Sequence, residues 1–179
     1  MTPPLKIAFD ATGTPEELTG AGYYVQEILK ELDNRLEVDL KILTRKSDAD
    51  RFRILAPNSE VLPVAPASRP ARILFQSFKM GNFVDNLNVD VFHGPHYQLP
   101  FKMNTPSVVT IHDMTLITHR EVHNKIKREF FSRIIPRSAR DAKSVITVSK
   151  HTSDDVERLI EGHGKIFVAQ LGIDTLRFN

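Results

Sequence analysis

The sequence predicts an α/β fold, a doubly wound parallel sheet with helices on both faces, and three observations predict it. Short β-branched runs alternate with longer amphipathic stretches along the chain, which is the pattern of βαβ units. The runs Val108-Val-Thr-Ile111, Val145-Ile-Thr-Val148 and Ile166-Phe-Val168 are nearly continuously apolar, as strands covered on both faces are. The first strand-like segment leads into a glycine-bearing stretch that opens a helix.

Residues 5 to 10 read as the first strand. In the helix that follows, Ala21, Tyr24, Val25, Ile28, Leu29 and Leu32 recur at spacings of three and four, giving one apolar stripe to pack on a sheet. Leu36, Val38, Leu40 and Ile42 alternate with Glu37, Asp39 and Lys41, so the second strand has one wetter face and is expected away from the sheet centre. Residues 61 to 64 form a shorter strand, and the proline-bearing stretch 62 to 70 is expected to be a flexible loop. The three continuous apolar runs are expected at the centre. Helices are expected over 69–87, 122–140 and 152–160, with Pro136 bending or breaking the second. There is no internal repeat and no low-complexity segment.

With 179 residues, 41% hydrophobic and 26% charged, the chain can bury one sizeable core, and one domain is the default. Lys plus Arg total 24 against 22 Asp plus Glu, and the formal charge of +2 is too small to point to nucleic acid. The absence of cysteine excludes a disulfide scaffold and a cysteine-ligated zinc site. The N-terminus has no extended apolar core of a signal peptide, and no run approaches the roughly 18 apolar residues of a membrane span. These features point to a cytoplasmic protein that is not integral to a membrane.

Three motifs carry candidate chemistry. Thr19-Gly-Ala-Gly-Tyr23 stands where glycine backbone and a helix N-terminus can approach a phosphate, or where glycine serves only a turn. It lacks the third glycine of a dinucleotide fingerprint, which disfavours a nicotinamide cofactor. His112 and Asp113 stand at the carboxyl end of a strand, where open α/β sheets place their ligand crevice. Asp90-Val-Phe-His-Gly-Pro-His-Tyr97 ends another strand and brings His93 and His96 to the same rim. With no cysteine and no clear carboxylate partner nearby in sequence, these histidines suit hydrogen bonding to sugar or phosphate better than metal ligation. Lys125, Lys127, Arg128, Arg133, Arg137 and Arg140 alternate with Ile126, Phe130, Phe131, Ile134 and Ile135. A stretch of this kind either covers the sheet with a solvated basic face, the preferred reading, or makes peripheral contact with an anionic membrane surface.

Gly20-Ala-Gly22-Tyr23, Val91-Phe-His-Gly-Pro-His96, Thr110-Ile-His-Asp113, Ile146-Thr-Val-Ser149 and Gly172-Ile-Asp174 followed by Arg177-Phe178 occur in the order seen in family 4 glycosyltransferases. Over nearly its whole length the chain resembles the N-terminal, Rossmann-like half of such a GT-B enzyme. The resemblance implies a domain over 1–171, the start of an interdomain linker over 172–179, and a C-terminal nucleotide-sugar domain that the chain lacks. It implies a retaining hexosyltransferase acting in cell-envelope polysaccharide, lipopolysaccharide or other glycoconjugate synthesis, possessing no cofactor or metal. Its partners would be a nucleotide-diphosphate sugar donor and a glycan or lipid-linked acceptor, met in the cytoplasm or at the inner membrane face. His112 would lie by the donor sugar with Asp113 as its neighbour, and Gly20, Gly22, Tyr23, His93, His96 and Ser149 would bind donor or acceptor. The chain alone would be inactive. The family's pair of glutamates with seven residues between them matches Glu121 and Glu129 in spacing only, since they fall in the wrong half of the fold. Rival readings are a GT-B sugar-nucleotide epimerase and a non-catalytic binding module.

Overall fold

A computed structural model describes residues 2–15, 20–119, 121 and 125–172, without the side chains of 126 and 127. Its elements run β1 (Leu5–Asp10), α1 (Gly20–Asp33), β2 (Val38–Arg45), α2 (Ala49–Leu55), β3 (Glu60–Ala65), α3 (Arg69–Leu74), α4 (Met80–Asp85) and β4 (Val91–Gly94). They continue through β5 (Ser107–Ile111), α5 (Thr115–Thr118), α6 (Lys125–Asp141), β6 (Ser144–Thr147), α7 (Lys150–Leu159) and β7 (Lys165–Val168). A π-helical turn, Phe75–Lys79, joins α3 to α4.

The strands form one parallel sheet in the order β3-β2-β1-β4-β5-β6-β7, the doubly wound arrangement expected from the alternation of elements. Successive strand residues point to opposite faces, so the sheet has two cores. Phe9 and Ile42 pack with Val25 and Leu29 of α1 and Phe52 of α2. Ala8, Phe92, Val109 and Val145 pack on the other face with Val84 of α4, Ile135 of α6 and Val156 of α7. Each large side chain fully buried in this way contributes about 1.5–3 kcal/mol. The stripe read in α1 is the stripe that packs: Tyr24, Val25 and Leu29 are buried, and Ile28 and Leu32 are partly so.

Four expectations are corrected. The Ile166–Val168 run lies in β7 at the edge of the sheet, not at its centre, with Phe167 47% and Val168 43% exposed. An apolar run reports side-chain character and not the number of hydrogen-bonded neighbours. The stretch 62–70 is not a loop throughout: Pro63 sits in β3, where an edge strand tolerates a missing N–H. Pro70 lies in the first turn of α3, where its fixed φ suits a helix start. Helix α6 runs through Pro136, so of the expected bend or break the break does not occur. The helix expected over 69–87 contains the π-helical turn, and α2 and α5 are additional short helices.

Three basic residues of α6 have partners within the protein. Arg133 pairs with Glu129 at 2.7 Å, Arg137 pairs with Asp141 at 2.7 Å and donates to Phe101 O at 2.7 Å, and Arg140 donates to Glu161 O at 3.0 Å. Its inner face holds Ile134, Ile135 and Ala139. The helix thus covers the sheet. Among the described residues no helix is long and apolar enough to cross a membrane. Residues 122–124 of the expected helix, Thr19 and the stretch 173–179 lie outside the described residues.

Candidate functional site

The strand order reverses between β1 and β4, and the crevice outside the carboxyl ends of these strands is where such sheets hold ligands. Asp10 ends β1, His93 and Gly94 end β4, and His112 and Asp113 follow β5. A cavity of about 310 Å³ opens here, and its lining includes Asp10, Gln76, His96, Arg69, Arg72, Phe130 and Phe131. A larger cavity of about 490 Å³ lies at the amino ends of β5 and β6, lined by residues 99–107 and 141–143. Size alone would select it, but topology and polar convergence favour the first.

The three histidines are not equivalent. His93 is buried, its Nε2 2.8 Å from Thr110 Oγ1, and Tyr24 OH lies 2.9 Å from the same hydroxyl. Burial, with smaller repulsion from His96 and His112, pushes its pKa down to about 4. It is a neutral, enclosed residue. His112 donates Nε2–H to Pro95 O at 2.8 Å, and since a carbonyl only accepts, a neutral ring is left with Nδ1 as an acceptor. Tyr24, Tyr97 and His96 surround that ring at centroid distances of 4.9, 5.6 and 5.7 Å. Burial lowers the pKa of His112 against the opposing pull of the Pro95 carbonyl and Asp113. His96 lines the cavity, and its buried Nε2 has no protein partner. Its pKa is pushed down to about 4 by burial and then by His112.

Asp113 is tied down. Its Oδ1 accepts from Thr115 N at 2.9 Å and Thr115 Oγ1 at 2.5 Å, and its Oδ2 accepts from Tyr97 OH at 2.9 Å. Burial works to raise its pKa, but the Thr115 and Tyr97 hydrogen bonds, helped by His112, hold it below the ordinary value. The carboxylate thus fixes the start of α5 and orients Tyr97, whose backbone stands at a left-handed φ of 61°. Ser149 caps α7, accepting from Thr152 N at 3.1 Å. Thr152 Oγ1 in turn donates to His112 O at 3.2 Å, so Ser149 supports the histidine loop from behind.

Gly20, Gly22 and Tyr23 fall in the first turn of α1. Tyr23 is exposed, and the aromatic residue that reaches the histidines is Tyr24, which the sequence shows only as a core position of the helical stripe. Sequence reasoning also missed Asp10, Gln76, Arg69 and Arg72. Asp10 carried one readable signal, an acid closing an apolar strand. Its Oδ1 accepts from Thr12 N at 2.9 Å and Thr12 Oγ1 at 2.6 Å, and its Oδ2 accepts from Gln76 Nε2 at 3.0 Å. Burial raises its pKa despite these bonds. Among the described residues no three His, Asp or Glu form a group able to hold a metal ion.

Residues 18–177 match the model of Glycosyltransferase Family 4. The chain is 26% identical over 175 residues to O-antigen chain mannosyltransferase B of Escherichia coli, covering 87% of this chain and 44% of that protein, so it spans about half the length of this relative. A solved sucrose-phosphate synthase from Thermosynechococcus elongatus superposes with a TM-score of 0.61 at 17% identity, covering 94% of this chain and 48% of that one. A second solved chain of that synthase, covered to 90%, gives 0.52 at 16% identity. The fold is that of a GT-B glycosyltransferase domain. With the family model matched across nearly all of its length, the chain belongs to Glycosyltransferase Family 4 as an N-terminal domain.

Proposed function

We propose that the intact protein is a retaining hexosyltransferase that moves a sugar from a nucleotide-diphosphate donor to a glycan or lipid-linked acceptor, with this domain on the acceptor side of the cleft. The observation that carries this reading is His112: a neutral imidazole at the carboxyl end of β5, its Nε2–H fixed on Pro95 O and its other nitrogen an acceptor. Such a nitrogen can accept a hydrogen bond from a sugar hydroxyl and orient the ring for departure of the nucleotide. The departing diphosphate needs positive potential, which backbone N–H groups at the start of α1 and basic residues of the partner domain can supply without a metal. Likeness to an O-antigen mannosyltransferase makes mannose the first donor sugar to test and cell-surface polysaccharide the first acceptor class.

The test is a donor-hydrolysis screen of the intact protein with guanosine-, uridine- and adenosine-diphosphate sugars. One donor should be consumed, and His112→Ala should lower turnover about 2- to 13-fold, the value of one neutral hydrogen bond at about 0.5–1.5 kcal/mol. A protein that hydrolyses none of these donors, alone or with acceptor, is no transferase of this kind. Gly20→Ala separates the two roles of the glycine stretch, because an added Cβ there meets nothing within 4 Å. Melting should not fall, while donor use should fall if the backbone approaches the diphosphate.

A further inference from the structure

The cavity at the sheet crevice has sides of unlike chemistry. Arg69 and Arg72 pair with no carboxylate among the described residues, whereas Arg45, Arg53, Arg133, Arg137 and Arg158 each do. Among the described residues Arg72 donates to Ala67 O at 2.9 Å, which anchors one end of its guanidinium. Burial and then repulsion from Arg45 and Arg69 lower its pKa against the opposing pull of Asp10 and Asp48, and a bound anion would relieve the repulsion. Elsewhere on the cavity wall stand Phe130 and Phe131, their rings edge to face at a centroid distance of 5.1 Å.

Part of the cavity lining is polar. The π-helical turn carries Gln76, which holds Asp10 and Thr12, and π turns recur at functional sites. His96 lines the same cavity, and its Nε2, shielded from solvent, has no protein partner. Gly13 lines the cavity with no side chain, and a Cβ there would stand 3.4 Å from the His96 ring. A volume of about 310 Å³ is at the lower end for small-ligand sites, suited to one substituted sugar ring and not to a whole nucleotide-sugar.

We infer that the acceptor of this transferase is a sugar bearing an anionic substituent, phosphate or carboxylate, seated with its charge on Arg69 and Arg72 and its ring against Phe130 and Phe131. The guanidinium forks match either anion. The name acceptor rests on the transferase reading above, but the binding site itself does not.

Calorimetric titration of the intact protein with methyl α-mannoside, mannose 6-phosphate, glucuronate and inorganic phosphate tests it. At least one charged sugar should bind about tenfold or more tightly than the neutral one, an advantage that shrinks as added salt screens the exposed Arg69. Which charged sugar wins separates phosphate from carboxylate. Arg69→Gln combined with Arg72→Gln should abolish the advantage. If that variant does not fold, the wild-type affinity ratio and its salt dependence decide alone. Equal binding of neutral and charged sugars overturns the inference. So does inorganic phosphate binding as tightly as the sugar phosphate, survival of the advantage in the double variant, or no binding at millimolar concentration. Donor hydrolysis measured in parallel keeps the two ideas apart. Charge-selective binding without donor use retains the site and loses the transferase, and donor use without selectivity does the reverse.

Discussion

Thr110 organises the histidine cluster although it carries no charge. One hydroxyl meets both the His93 imidazole and the Tyr24 phenol, and all three groups are buried. Thr110→Val keeps the shape and removes the hydroxyl, leaving two buried polar atoms unpaired at about 1–3 kcal/mol each. Denaturant unfolding should show a loss of about 2 kcal/mol or more, and a loss within error would mean that His93 finds another partner. The histidines also set an acid limit. His93 and His96 are held at about 4 when folded against 6.5 when free, so the unfolded chain binds more protons between those values. Stability is therefore complete above about pH 6.5 and falls as pH drops towards 4, by about 1 kcal/mol per pH unit for each histidine. Asp10, raised by burial, acts in the opposite sense. A melting temperature that falls across the window in wild type, with a shallower slope in His93→Gln, is the expected result, and parallel slopes would remove His93 from the account.

At the scale of elements, the site depends on how tightly β4 turns back on itself. Gly94 is the last residue of β4, and a Cβ there would stand 2.6 Å from Gln98 O and 3.0 Å from Leu99. The glycine in the Val91-Phe-His-Gly-Pro-His96 stretch is thus a requirement of backbone approach, which lets the chain place His93 inside and His96 in the cavity within one turn. Gly94→Ala should cost about 1–3 kcal/mol and disturb His96. Comparing its unfolding midpoint with that of Gly20→Ala checks the contrast between a packed and an open glycine. Helix α1 was legible because its stripe is local and periodic. The role of Tyr24 within that stripe was not, because its partner Thr110 is 86 residues away in sequence.

At the scale of the molecule, the two cores fix the carboxyl ends of β1, β4 and β5 side by side, and the crevice follows from strand order. The chain covers 44% of the mannosyltransferase and 48% of the first synthase chain. If the cleft is completed by a second domain that carries most donor contacts, the isolated 179 residues should bind acceptor sugars yet transfer none. Turnover by this chain alone at a rate matching the intact protein would overturn that division of labour.

The sequence by itself determined the fold class, the apolar face of α1, the alternation that builds a parallel sheet, and the histidine-bearing strand ends. These are local or periodic properties, written in side-chain character at spacings of two and three to four residues. Tertiary structure alone decided that β7 lies at an edge and that Asp113 and Ser149 are fixed by Thr115, Tyr97 and Thr152. It alone brought Arg69, Arg72, Gln76, Phe130 and Phe131 to one cavity with Asp10. Those residues come from separate helices and strands, and their meeting depends on which strands are neighbours, a relation that no local pattern encodes.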